Sequence, residues 1–143
     1  MIYFILKRLA IGSFQDAEAK PRKITAFLNV AAEKDLGIED RLCHKIWLQD
    51  FVPVPPAAIR EAVDWIQTHI VNHTILVFCN AGVGRSSSVV VGYLVKMGFG
   101  FAEAVEFVAS KKPDVSILPR LMETIEESYP IALSKDRSRE VDI

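Results

Sequence analysis

Cysteine is scarce in this sequence: only Cys43 and Cys79 occur among 143 residues. Two thiols cannot staple a small secreted scaffold, so a reducing compartment is the expected setting. An excess of charge of one sign is also missing. Seventeen Lys and Arg stand against 18 Asp and Glu, a formal net charge of −1. That balance offers no basic face for nucleic acid and no general attraction to an anionic membrane. Long apolar runs are lacking too. Met1-Ile-Tyr-Phe-Ile-Leu6 is interrupted by Lys7 and Arg8. No basic stretch precedes it and no small-residue cleavage site follows, so it makes a poor secretory signal. Nothing approaches the roughly 20 apolar residues of a membrane span. Seven Gly and seven Pro exclude a low-complexity chain. These absences leave a soluble, cytoplasmic protein, with neither nucleic acid nor membrane as a partner. Half of its residues are hydrophobic, enough for one domain with its own core.

Residues 2–6 and 9–11 read as short strands, with Gly12-Ser13 as a turn. Residues 23–30 carry Ile24, Phe27, Leu28 and Val30 and read as a buried strand; residues 43–48 read as another. Asp50-Phe-Val-Pro-Val-Pro-Pro56 has three prolines in seven residues and so must be a loop. Pro56 suits the first turn of a helix, in which Ile59, Val63, Ile66 and Ile70 recur at helical spacing. Thr74-Ile-Leu-Val-Phe78 is a continuous apolar run, as a strand covered on both faces requires. Residues 86–97 form a helix that is apolar almost all round, and Gly98 and Gly100 end it. Further helices are expected over 101–110 and 118–129, the last between Pro119 and Pro130. The pattern predicts an α/β fold: a central, mostly parallel sheet of about four to five strands flanked by helices. Residues 1–132 make one domain, and 133–143 read as a charged, flexible tail.

The chemistry concentrates in Val77-Phe-Cys-Asn-Ala-Gly-Val-Gly-Arg-Ser86. Cys79 closes a buried strand, where open α/β sheets bind ligands. Gly82 and Gly84 let the backbone curl so that successive N–H groups of Asn80, Ala81, Gly82, Val83 and Gly84 make an anion nest. The helix that follows adds free N–H groups and its positive dipole end. Arg85 supplies a planar fork for two oxygens of a phosphate. Such a field favours the thiolate, and a thiolate facing a phosphoryl group yields a cysteinyl-phosphate. The bland alternative is a buried cysteine in a tight turn, with Arg85 in a surface ion pair. A leaving oxygen needs a proton, and Asp50, opening the proline-rich loop, is the candidate general acid; otherwise it is a turn or capping residue. Ser86 is placed to donate to the Cys79 sulfur, to cap the helix, or both.

These residues resemble the cysteine-based protein tyrosine phosphatase superfamily, and within it the small dual-specificity phosphatases. That signature is His-Cys, five residues, Arg, then Ser or Thr; here it stands as Phe78-Cys79-Asn-Ala-Gly-Val-Gly-Arg85-Ser86. The resemblance runs from about Ile2 to Tyr129, and takes in Leu9-Ala-Ile-Gly-Ser13 with Asp16-Ala17, Phe27-Leu-Asn-Val-Ala-Ala-Glu33 and Gly92-Tyr93-Leu94. It implies a three-layer phosphatase-like fold and an enzyme that hydrolyses phosphotyrosine and phosphoserine or phosphothreonine in proteins. It implies Cys79 as nucleophile, Arg85 as phosphate-binding arginine, Ser86 as the hydroxyl and Asp50 as the acid, with no metal or cofactor. The partner would be a phosphorylated protein or peptide, and the protein a monomer. Phe78 departs from the family histidine and cannot donate a hydrogen bond, which implies weaker support for the thiolate and lower turnover. The alternative is a phosphatase-like module that binds phosphoproteins with little or no turnover. A sulfur-transfer enzyme of rhodanese type leaves Ser86 and Asp50 without a task.

Other residues read more plainly. Cys43 is a small core residue, or a partner for a reversible disulfide with Cys79. His44, His69 and His73 lack metal-ligand partners and read as surface or structural. Trp47 and Trp65 read as core or partly buried aromatics. Lys111, Lys112 and Arg120 read as a solvated helix-end cluster or as a rim for acidic peptides. Phe51 and Val52 flank Asp50, either as substrate contacts or as an apolar anchor for the loop.

Overall fold

In the computed structural model, which describes residues 1–129, β5 (Ile75–Cys79) organises everything else. All five of its residues are buried. It is hydrogen-bonded in parallel to β2 (Leu9–Ser13) on one side and to β3 (Ala26–Asn29) on the other. Beyond these lie β1 (Tyr3–Leu6), antiparallel to β2, and β4 (Leu42–Lys45), parallel to β3. The sheet is therefore five-stranded and mixed, in the order β1-β2-β5-β3-β4. Among the described residues, no helix is long and apolar enough to cross a membrane.

Strand alternation sends successive side chains of β5 to opposite layers. Ile75, Val77 and Cys79 join the larger core, which is built with α2 (Pro56–His69), α3 (Arg85–Lys96), α4 (Phe101–Lys111) and α5 (Leu121–Ser128). Leu76 and Phe78 join a smaller core with Phe27, Ile24 and Ala17, the last from α1 (Phe14–Glu18). The nucleophile candidate and its phenylalanine neighbour thus belong to different layers. In the larger layer α3 is buried from Arg85 through Val95, which explains why Val89 to Val95 carries no charged side chain. At Gly92 a Cβ would stand 3.0 Å from Ile59 Cδ1, so the missing side chain lets α2 and α3 close on each other.

Several expectations are corrected. Gly12 and Ser13 are not a turn: they finish β2 and pair with Phe78 and Cys79. Ser13 then caps α1, a helix the periodicity did not reveal because it is only five residues long. Its signal is the capping box, with the Ser13 side chain accepting from the Asp16 N–H and the Asp16 carboxylate from the Ser13 N–H. The last helix starts at Leu121 rather than 118, because Arg120 takes a left-handed φ of 58° as its cap. Trp47 is 69% exposed, not core. Lys112 is buried rather than solvated, bonded at 2.6 Å to Asp114 and lying over the Tyr3 ring. The boundary at 132/133, the charged tail and Pro130 lie outside the described residues.

Candidate active site

The strand–loop–helix unit from β5 to α3 holds its carbonyls inward and its amides free. The Asn80 carbonyl accepts from the Phe14 N–H at 3.2 Å, and the Val83 carbonyl from the Ser116 N–H at 3.2 Å. The Gly84 carbonyl accepts from both the N–H and the hydroxyl of Ser88, at 2.9 and 2.7 Å. Ser88 Oγ in turn accepts from the Leu118 N–H. By contrast, among the described residues no backbone N–H from Asn80 through Ser87 finds an acceptor. A run of unpartnered amides at a helix start is an anion cradle. Gly82 makes its bend, with φ of 75°. A Cβ there would lie 2.7 Å from the Gly12 carbonyl oxygen, so the end of β2 admits no side chain at this point.

Arg85 is 2% exposed. Its two terminal nitrogens grip both oxygens of Glu33, at 2.7 and 2.8 Å, and one also donates to the Leu48 carbonyl at 3.1 Å. Its Nε, although buried, has no partner among the described residues. The guanidinium is therefore aimed from behind and keeps one donor unspent, an arrangement that a bound oxyanion would complete. The hydrogen bonds from Arg85 hold the Glu33 carboxyl far down, at about 2, and the same pairing raises Arg85.

Glu33 was not among the residues singled out by sequence reasoning. A lone acidic residue 52 positions from Arg85 carries no spacing signal. Only the parallel pairing of β3 with β5 brings the end of Ala31-Ala-Glu33 beside the loop.

Cys79 is 2% exposed, with its sulfur 3.3 Å from Ser86 Oγ. Asp50 is exposed on the loop between β4 and α2. Its Oδ1 lies 3.6 Å from where a Gly84 Cβ would be, so the carboxylate hangs over the cradle. It also accepts from the Phe51 N–H at 3.1 Å. The structure therefore brings Cys79, Arg85, Ser86, Asp50 and the 80–84 loop together. It leaves Cys43 apart. Cys43 pairs with Phe27 of β3, which pairs with Leu76 of β5. The two thiols are thus two strands and three residues apart, about 10 Å in each direction and on opposite faces, beyond disulfide reach. Cys43 is also exposed, so it is not a core residue either.

Phe78 is fully buried, its ring 6.3 Å from that of Phe14 and 6.4 Å from that of Phe27. It supports the loop by packing, and through Phe14, whose N–H holds the Asn80 carbonyl. The three histidines have structural partners: His44 with Glu61 at 2.8 Å, His69 against Trp65, and His73 with Thr25 at 3.1 Å. Among the described residues, no group of three or more His, Cys, Asp or Glu is placed to hold a metal ion.

The family model described as "Dual specificity phosphatase, catalytic domain" matches residues 9–129. The chain is similar to dual specificity protein phosphatase 15 of Mus musculus, 27% identical over 130 residues that cover 86% of this chain and 55% of that protein. It is also similar to dual specificity protein phosphatase 19 of Mus musculus, 29% identical over 130 residues, 82% of this chain and 57% of that protein. The chain spans about half the length of these curated relatives. Among solved structures it superposes on DUSP15 with a TM-score of 0.78 at 22% identity, covering 95% of this chain and 92% of that one. On Tk-PTP in its active form the TM-score is 0.77 at 21% identity, covering 91% and 97%.

Proposed function

The chain belongs to the dual specificity phosphatase catalytic-domain family, and from that premise we propose that it hydrolyses phosphomonoesters of phosphorylated proteins through a cysteinyl-phosphate. One observation carries this reading: the cradle of unpartnered amides from Asn80 to Ser87, with the unspent Arg85 Nε beside it. A phosphate's equatorial oxygens would satisfy both sets of donors and place phosphorus against the Cys79 sulfur. The Cys79 thiolate then attacks phosphorus and the bond to the leaving oxygen breaks. Asp50 gives that oxygen its proton as the S–P bond forms. In the second step the Asp50 carboxylate takes a proton from an attacking water, and the new P–O bond displaces sulfur. The Ser86 hydroxyl donates to the departing thiolate. Inorganic phosphate leaves and the enzyme is restored. The Arg85 charge and the amides stabilise the charge that gathers on the phosphoryl oxygens. The absence of Lys, Arg and His between Cys79 and Arg85 favours a single phosphate on a protein over polyphosphorylated ligands.

Phe78 favours a second reading, a phosphoprotein-binding module without turnover, because a phenyl ring gives the loop no hydrogen bond. Hydrolysis of an aryl phosphate across pH 5–8 without added metal separates the two. Turnover by the native protein, lost in Cys79→Ser and reduced in Asp50→Asn, supports the enzyme. An inert native protein that binds phosphate through Arg85 supports the module.

A further inference from the structure

Among the described residues, three of the seven large hydrophobic side chains left exposed fall between Trp47 and Val52, so the apolar surface is concentrated beside Asp50. Phe51 is 84% exposed and holds a left-handed φ of 62°. A ring this exposed is buried against nothing among the described residues, which disfavours Phe51 as an apolar loop anchor. A bulky residue at positive φ is a true outlier, and strain of this kind persists where surrounding structure or function demands it. On either side of Phe51 in the chain, Trp47, Val52, Pro53 and Pro55 line a groove of about 200 Å³. That is smaller than the roughly 300–1,000 Å³ of a pocket for a whole small molecule, and it suits one side chain. Asp50, whose carboxylate lies against Gly84 of the cradle, is flanked in the chain by the groove residues Gln49 and Val52. The groove segment thus borders the residue that overhangs the cradle, within reach of the residues next to a phosphorylated one held at Cys79.

On this evidence, and resting on the phosphatase reading above, we infer that Phe51 and the Trp47–Pro55 groove form a subsite that selects phosphopeptides with an aliphatic or aromatic residue next to the phosphorylated one. The charges at the rim fit a peptide better than a bilayer. Lys45 lies over the Trp47 ring at 4.0 Å, but Asp35 holds its ammonium at 2.7 Å. With Asp50 also exposed, that leaves no net positive charge to meet anionic lipid. Pro53 and Pro55 in the groove wall leave little backbone to order on binding.

The test uses the full chain with Cys79→Ser, so that binding is read without turnover, and fluorescent phosphotyrosine peptides differing only in their flanks. Fluorescence anisotropy should show the Leu- or Phe-flanked peptide binding about tenfold tighter than the Ser-flanked one, the scale of partly burying one apolar side chain. Adding Trp47→Ser or Val52→Ser should bring the ratio of the two affinities near one. A ratio already near one in Cys79→Ser overturns the subsite, as does a ratio that survives both added substitutions. Tight binding to phosphatidylserine vesicles, lost in Trp47→Ser, also overturns it in favour of a lipid surface. Aryl phosphate turnover by the native protein is read separately. Its absence sinks the phosphatase reading, whereas a flat flank preference in a protein active on aryl phosphate sinks only the subsite.

Discussion

The two segments that meet over Cys79 are held in opposite ways. The 79–88 segment is tied through its carbonyls to Phe14, Ser116 and Ser88, is packed by Gly82 against Gly12, and is backed by the ion pair of Arg85 with Glu33. The 47–55 segment has exposed side chains at Trp47, Gln49, Asp50, Phe51 and Val52, and among the described residues the Asp50 carboxylate is held by a neighbouring amide alone. Even their positive-φ residues differ. In the first it is Gly82, where the conformation is free; in the second it is Phe51, where it is strained. Charge stabilisation demands donors that do not reorganise. Proton transfer and substrate choice ask for exposed groups rather than for a ring of buried donors. The rigid segment should therefore fail abruptly under substitution and the exposed one by degrees.

The largest effects belong to the rigid segment. Cys79→Ser removes the proposed nucleophile and should abolish turnover while leaving oxyanion binding, read by inorganic phosphate protection of Tm. Gly82→Ala should break binding and turnover together. Its Cβ meets backbone atoms of Gly12 that cannot swing aside, and φ of 75° strains it further. A loss of about 1–3 kcal/mol in chemical unfolding is expected. If Gly82→Ala keeps both stability and activity, the loop is not the close-packed element described. In the exposed arm Asp50→Asn should lower kcat by about 10²–10⁴, the usual share of general acid–base catalysis, with little change in Tm. A Tm drop as large as that of Gly82→Ala would erase the contrast.

Much of the rigid segment was legible in advance, and the reason is local. The Cys79-to-Ser86 motif, the apolar run before it and the buried helix after it are contiguous, so their chemistry and periodicity appear together. Asp50 was legible through the prolines that force its loop. What was not legible arises from pairings across the sheet. Glu33 acquires its role only because β3 lies next to β5, and Cys43 loses its proposed partner because β4 lies two strands away. Trp47 reads as core or partly buried because tryptophan is on average well buried, whereas in the fold it is 69% exposed.

Glu33→Gln probes the contact that joins a half-exposed residue to the rigid loop. Its carboxyl, at about 2 in the folded protein against an ordinary 4.5, is depressed by the hydrogen bonds from Arg85. The pair therefore stabilises the fold fully above pH 4.5, and that contribution is lost as pH falls from 4.5 toward 2. The Tm gap between native protein and Glu33→Gln should accordingly narrow over that window. At pH 6 the variant should lose about tenfold to a hundredfold in kcat/KM, because Arg85 is no longer aimed. A gap that stays constant from pH 6 to pH 2 would mean that the ion pair does not brace the loop.

The smallest expected effect lies at Phe51. Asparagine tolerates the left-handed region better than phenylalanine does, and little burial is forfeited at a ring 84% exposed. Phe51→Asn should thus stabilise the protein, by about 1 kcal/mol or less, or a few degrees in Tm. It keeps the amide that donates to Asp50. Its flank preference on phosphopeptides should weaken at the same time. A substitution that strengthens the fold while blunting selection is the mark of strain kept for function rather than for stability. If instead Phe51→Asn destabilises the protein, the ring makes contacts that its exposure does not reveal, and the arm is less separate from the core than the loop geometry implies.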